Sequence, residues 1–345
     1  MRALLATISL ALMTGTALAA PVEVVASFSI LGDMVKQVGG DRVAVTTIVG
    51  PNADSHVYEP RPQDAAVLSG AQAFFVNGLG FEGWLERLVE ATAFDGKVVT
   101  VSDGIVPHDA AEADGHDDHE SHAGEEAHED HAAEDGHAHD EPGHDEAGHD
   151  EEGHEEEGHG DAATGHDHGS LDPHAWQSLG NGLIYVANIK AALCEIDAEG
   201  CATYTANAEA YSAEIAALDA EVKAAIAAVP EAQRKVITTH DAFGYFASAY
   251  GVTFLAPEGI STDSEASAAD VARLIDQVKH DGVKALFIEN MSDPRLVQQI
   301  AAETDAKLGG SLYSDALSEP GQGAATYLEM FRHNIGLLVP ALEGK

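Results

Sequence analysis

The feature that most constrains this chain is a regular exchange between two hydrophobic periods. Short β-branched runs alternate with longer runs whose apolar residues recur every three or four positions. Val22 to Ala26 reads as a strand, and Ile30 to Val38 as a helix closed by Gly39-Gly40. Val43 to Val49 is a second strand ending in Gly50-Pro51, and Pro62 to Leu68 is a short helix. Ala73 to Val76 (strand), Phe81 to Ala91 (helix) and Val98 to Val101 (strand) continue the pattern. Strands that alternate with helices require a parallel sheet with helices on its faces, so the expected fold class is α/β.

At His108 the alternation stops. Residues 108–169 hold 24 acidic residues, 14 histidines and no Lys or Arg. A five-residue repeat runs through Gly143-His144-Asp145-Glu146, Gly148-His149-Asp150-Glu151, Gly153-His154-Glu155-Glu156 and Gly158-His159. With almost no apolar residue larger than alanine, the segment cannot bury enough surface to offset the entropy of ordering. It reads as a disordered insertion in an otherwise folded chain. Its histidines are His116, His119, His122, His128, His131, His137, His139, His144, His149, His154, His159, His166 and His168, besides His108. Spaced this way on a flexible chain, they are expected to form a weak metal-binding tract. The bland alternative is a solvated acidic linker.

Order resumes at Leu171. Helices are expected over Asn181 to Ile196 and over Tyr204 to Ala228, the second long enough to bridge two lobes. Strands Val236 to Thr239, Val252 to Leu255, Ala285 to Ile288 and Leu308 to Tyr313 then alternate with four helices, over Ala242 to Tyr250, Ser267 to Lys279, Pro294 to Thr304 and Ala324 to Leu342. The expected organisation has four parts. They are a secretory signal at 1–19, an N-terminal lobe at 20–201 containing the insertion, a linking helix at 202–229 and a C-terminal lobe at 230–345.

Charge and targeting narrow the function. The chain carries 59 acidic against 17 basic residues, a net charge of −42, and such a surface repels nucleic acid and anionic lipid. Arg2, the apolar run Ala3 to Met13 and Ala17-Leu18-Ala19 form a cleavable signal pattern. No cysteine follows that run, so the expected product is a soluble, periplasmic, monomeric protein without a lipid anchor. Cys194 and Cys201, the chain's two cysteines, can pair in an oxidising compartment around Glu199-Gly200, or remain free thiols.

Outside the insertion stand His56, His174, His240, His280 and His333. His56 follows a strand, in a loop containing Pro51-Asn52-Ala53-Asp54-Ser55. His174 sits in Asp172-Pro173-His174-Ala175-Trp176, before a helix. His240 comes directly after a strand, and Asp315 stands at another strand exit in Tyr313-Ser314-Asp315-Ala316. Ligands of open α/β sheets bind at the carboxyl ends of strands. Three imidazoles and one carboxylate meeting there would suit a four-coordinate transition metal. Each signal alone is weak, since a loop histidine is more often a surface or packing residue. His280 and His333 take that reading, at a helix C-terminus and on the surface, and Asp172 can be no more than a turn and helix cap.

Together, His56-Val57-Tyr58-Glu59-Pro60-Arg61-Pro62, Asp172-Pro173-His174-Ala175-Trp176 and His240-Asp241-Ala242-Phe243-Gly244-Tyr245-Phe246 carry a family resemblance. Gly259-Ile260-Ser261, Ser267-Ala268-Ala269-Asp270 and the histidine-rich insertion agree with it. The chain resembles the periplasmic zinc-binding proteins of ABC importers (ZnuA-like), within the wider zinc and manganese solute-binding group. The resemblance implies two lobes with a metal between them and a long spine helix. It implies His56, His174 and His240 as ligands, with Asp315 matching a C-terminal-lobe aspartate by context. Manganese-binding relatives have glutamate where this chain has His240, which points to Zn2+ as transported ligand. Two departures are Ser55, where some relatives place a glutamate, and Leu179, where a proline is usual. The implied partners are an importer membrane permease and a periplasmic zinc donor protein, with no nucleic acid. Alternatives are a periplasmic zinc or nickel buffer centred on the tract, a manganese-binding relative, and a zinc hydrolase using three histidines and an open position.

Overall fold

A computed structural model describes residues 20–109, 171–264 and 266–345. The signal (1–19) and the tract histidines from His116 to His168 lie outside the described residues. Among the described residues there are two four-stranded parallel sheets. The first contains β1 (Val22–Phe28), β2 (Val43–Val49), β3 (Ala73–Val76) and β4 (Lys97–Thr100) in the order β2-β1-β3-β4. The second contains β5 (Lys235–Ile237), β6 (Thr253–Leu255), β7 (Ala285–Glu289) and β8 (Lys307–Leu312) in the corresponding order β6-β5-β7-β8. The fold is α/β with two lobes, as the alternating pattern predicts.

Helices α1 (Ser29–Gly39), α2 (Pro62–Leu68) and α3 (Leu85–Thr92) belong to the first sheet. α6 (Gly244–Tyr250), α7 (Ala268–Asp281) and α8 (Arg295–Glu303) belong to the second. Between the sheets in sequence lie α4 (Leu179–Ile196) and α5 (Cys201–Ala227), which pack along one another. α5 has 27 residues, so it runs about 40 Å at 1.5 Å per residue. Its buried residues Tyr204, Ala208, Tyr211, Ile215, Leu218, Val222 and Ile226 recur every three or four positions, which turns one stripe into the core. Cys194 and Cys201 are disulfide-bonded at the α4–α5 corner, across a Cα–Cα distance of 4.4 Å.

One continuous apolar core runs from the first sheet through α4 and α5 to Phe246, Phe287, Leu312 and Phe331 on the inner side of the second. A smaller core of Ile237, Val271, Leu274, Val278, Leu286, Val297 and Ile300 lies beneath α7 and α8. The closing helix α9 (Tyr327–Leu342) joins the lobes. At its start the Tyr327 backbone N–H donates to Asp33 (2.8 Å) and the Tyr327 hydroxyl donates to the Trp176 carbonyl (2.6 Å).

Two expectations need correction. The helix expected from Phe81 begins only at Leu85, because Gly78, Leu79 and Gly80 all hold positive φ and the chain is still turning there. Phe81, Glu82 and Trp84 are consequently buried as individual anchors rather than as a helix face. His333 is also not a free surface residue. It is half-buried, with Nε2 2.9 Å from the Ser311 carbonyl and its ring edge-on to Tyr313 at 4.9 Å. His280 keeps its place in the last turn of α7, with its side chain 89% exposed.

Candidate metal centre

Each lobe contributes two of the four candidate residues; His56, His240 and Asp315 follow strands, and the His174 loop is tied to the end of β3. His56 lies midway along the loop between β2 and α2. Its backbone N–H donates to Asp54 Oδ1 (2.8 Å), and Trp84 Nε1 donates to the carbonyl of the preceding Ser55 (3.1 Å), so the loop is held from both sides. The Phe81 ring lies edge-on to the imidazole at 5.0 Å.

His174 precedes a single 3-10 turn, Ala175–Gln177. Asp172 Oδ1 accepts the His174 backbone N–H (2.9 Å) and lies 2.8 Å from the ring Nδ1. The Asn77 amide donates to the Pro173 carbonyl (2.9 Å), fixing the loop against the end of β3. Gly244, at the start of α6, is required here: a Cβ on it would come within 2.5 Å of Asp172 Oδ2.

His240 leaves β5 and forms a parallel bridge with Glu258. Glu289, the last residue of β7, takes the backbone N–H groups of Thr239 (2.9 Å) and His240 (3.0 Å) on Oε1. Its Oε2 lies 2.7 Å from His240 Nδ1. Asp315 follows β8 in a loop whose Ser314 carbonyl accepts both Trp176 Nε1 (2.8 Å) and Gln177 Nε2 (2.7 Å) from the other lobe.

These loops bring His56, His174, His240 and Asp315 together, with one donor atom from each within 4.8 Å of all the others. His56 Nε2 is 3.4 Å from His174 Nε2 and 3.3 Å from Asp315 Oδ2. His174 Nε2 is 3.6 Å from Asp315 Oδ1, and His240 Nε2 is 3.1 Å from Asp315 Oδ2. Bonds of 2.0–2.1 Å in a tetrahedral site give donor–donor edges of about 3.3–3.4 Å, inside the observed spread. The four side chains are all but sealed, at 4% exposure for His56 and 0% for the rest.

The electrostatics suit a cation. With Nδ1 of His174 and of His240 facing carboxylates, the neutral, metal-binding form of each ring carries its proton on Nδ1 and turns Nε2 inward. Both Asp315 oxygens are buried without a hydrogen-bond donor of proper geometry, an expensive condition that a metal ion relieves. Burial pulls the His56 imidazole below its ordinary value, against the pull of Asp315. Burial acts on His240 the same way, but the carboxylates of Glu289 and Asp315 outweigh it and hold His240 well above the usual range. Asp315 is raised by burial, yet His240 and His174 prevail and hold it well below.

Sequence reasoning missed Glu289 and undervalued Asp172. Glu289 closes an apolar strand run, and only its acid character at a strand exit could have marked it. Asp172 does cap a turn, as expected, but the same oxygen also orients His174. His280 and His333 are not among the residues that converge here.

Comparison with known proteins agrees with this architecture. The family described as zinc-uptake complex component A, periplasmic (ZnuA), matches residues 24–341. The manganese-binding lipoprotein MntA of Halalkalibacterium halodurans is 31% identical over 320 residues, covering 93% of this chain and 88% of that protein. The Mn-bound periplasmic metal binding protein from Candidatus Liberibacter asiaticus is 27% identical with a TM-score of 0.70, over 93% of this chain and 99% of that one. The periplasmic zinc binding protein TroA from Treponema pallidum is 25% identical with a TM-score of 0.73, over 94% and 99%. With two matched lobes and a family match spanning nearly the whole chain, this protein belongs to the ZnuA family, the metal-binding solute-binding components of ABC importers.

Proposed function

We propose that this chain captures Zn2+ between its lobes, on His56, His174, His240 and Asp315, and delivers it to a membrane permease. The observation that carries the reading is the donor set itself: three imidazole nitrogens and one carboxylate, with a donor atom from each within 4.8 Å of all the others. Imidazole-rich, four-donor sites favour zinc, whereas manganese favours oxygen ligands and higher coordination. Four protein donors also leave no open position of the kind a zinc hydrolase needs. Capture takes place in the periplasm after removal of residues 1–19, with residues 20–201 and 230–345 closing on the ion and residues 202–229 limiting the hinge. The test is metal competition on the purified mature protein. One tightly held zinc that a large excess of manganese does not displace supports the reading, and stoichiometric displacement by manganese overturns it.

A manganese reading has its own support. Asp315 turns both oxygens toward the imidazoles, Oδ1 toward His174 and Oδ2 toward His56 and His240, so it can bind through two atoms and raise the coordination number. The relative from H. halodurans is named as manganese-binding. The same competition experiment separates the two.

A further inference from the structure

We propose that Asp54 and Thr262 form an interlobe latch that sets how long the metal stays bound, an inference that rests on the metal reading of the cleft. Asp54 is outside the donor cluster, yet it bonds in two directions. Its Oδ1 accepts the backbone N–H of His56 (2.8 Å), and its Oδ2 accepts the hydroxyl of Thr262 from the other lobe (2.7 Å). One carboxylate therefore joins the loop that presents a ligand to the segment between β6 and α7.

The same loop is tied across the cleft at two further points. Asn290 Nδ2 donates to Asn52 Oδ1 (2.9 Å), and the Asn52 backbone N–H donates to the Leu317 carbonyl (2.9 Å). Each tie on the second lobe adjoins the candidate centre. Asn290 follows Glu289, Leu317 lies two residues beyond Asp315, and Thr262 is four residues past Glu258, the bridge partner of His240. Closing the lobes and assembling the donor set are thus one movement. The four donors are nearly sealed, so an ion can leave only if this rim opens.

Asn52 and Asn290 make a neutral bond at an exposed rim. The Thr262 bond is half-buried and ends on a charged acceptor, which makes it the stronger tie. The Asp54–Thr262 pair touches neither an imidazole nor Asp315. Loss of the Thr262 hydroxyl leaves the Asp54 bond to the His56 N–H in place, so its effect falls on opening and not on coordination geometry.

The test compares the wild-type protein with Thr262→Val and Thr262→Ser in stopped-flow release of zinc to a chromophoric chelator. Cobalt absorption spectra of the same proteins report the donor geometry. The valine variant keeps the shape and loses the donor, so it should release zinc about tenfold faster with an unchanged cobalt spectrum. The serine variant restores the hydroxyl and should release at close to the wild-type rate. Wild-type release from Thr262→Val would overturn the latch while leaving the metal reading intact, as would an altered cobalt spectrum. Absence of tight metal from the wild-type protein would overturn both.

Discussion

Asp172 holds His174 twice, taking its backbone N–H at 2.9 Å and facing its ring Nδ1 at 2.8 Å with the same oxygen. Such partners fix the tautomer and orientation of a metal-binding imidazole and typically govern 10–100-fold in affinity. Asp172→Ala is expected to weaken zinc binding by about that factor while leaving one ion per chain. Chelator-competition titration checks it, and wild-type affinity would refute the orienting role.

Proton release accompanies metal binding. In the metal-free protein His240 sits well above its usual value, after Glu289 and Asp315 overcome the effect of burial, so it keeps a proton at neutral pH. The ion must displace that proton, so apparent affinity should go on rising with pH beyond the ordinary histidine value of about 6.5. Calorimetric titrations at pH 7 in buffers of different ionisation heat should differ by about one proton per zinc. Buffer-independent heats would contradict this.

Glu82 gives the fold a pH dependence of its own. Burial raises its carboxyl, against bonds from the Asn77 N–H (2.7 Å), the Ser27 hydroxyl (2.7 Å) and the Gly78 N–H (3.1 Å). The folded chain therefore keeps this proton after the unfolded chain has lost it. The contribution to stability is fullest below the unfolded value near 4.5 and declines as pH rises through the raised folded value. Denaturant unfolding of Glu82→Gln should show a flatter decline than the wild type between about pH 4.5 and the raised folded value.

Reducing the Cys194–Cys201 bond opens a small loop, whose closure is worth about 2–3 kcal/mol on a chain-entropy model. The bond lies near the far end of α4, with Cys194 roughly 22 Å along the helix from Leu179 and the His174 loop. The double variant Cys194→Ala/Cys201→Ala should lose that stability in chemical unfolding and keep its zinc affinity.

The tract should be separable from the folded site. Asp109 and Leu171 pair as antiparallel neighbours, and the Asp172 N–H donates to the His108 carbonyl (2.9 Å), so the flanks of residues 110–170 already meet. Replacing those residues with a short turn should leave the fold and one tight zinc while lowering total zinc stoichiometry. Unchanged stoichiometry would show that the tract is no metal sink.

Much of the fold is legible in the sequence wherever glycine or proline bounds an apolar run. β2, α2 and β3 fall on their expected residues because Gly50-Pro51, Pro62 and Gly70 punctuate them. The start of α3 is hidden because Leu79 adopts a positive φ that its side chain gives no reason to expect. The meeting of His56, His240 and Asp315 is foreshadowed by their position after strands, whereas His174, before a helix, is marked only by its Asp172-Pro173-His174 context. Glu289 is not foreshadowed, since its partner lies 49 residues away and only the pairing of β5 with β7 brings them together. His333 shows the same limit, because its contact with Ser311 depends on how α9 packs on β8.

The clasp between Asp109 and Leu171 also bears on inheritance. Where the fold holds the ends of an insertion together, doubling its length adds only about 0.6 kcal/mol of closure entropy. Repeat units such as Gly148-His149-Asp150-Glu151 can then be gained or lost by slippage in the coding sequence with little penalty to folding. The length of the tract is free to drift, or to follow the metal supply of a habitat, while the four residues at the cleft stay where the sheets put them.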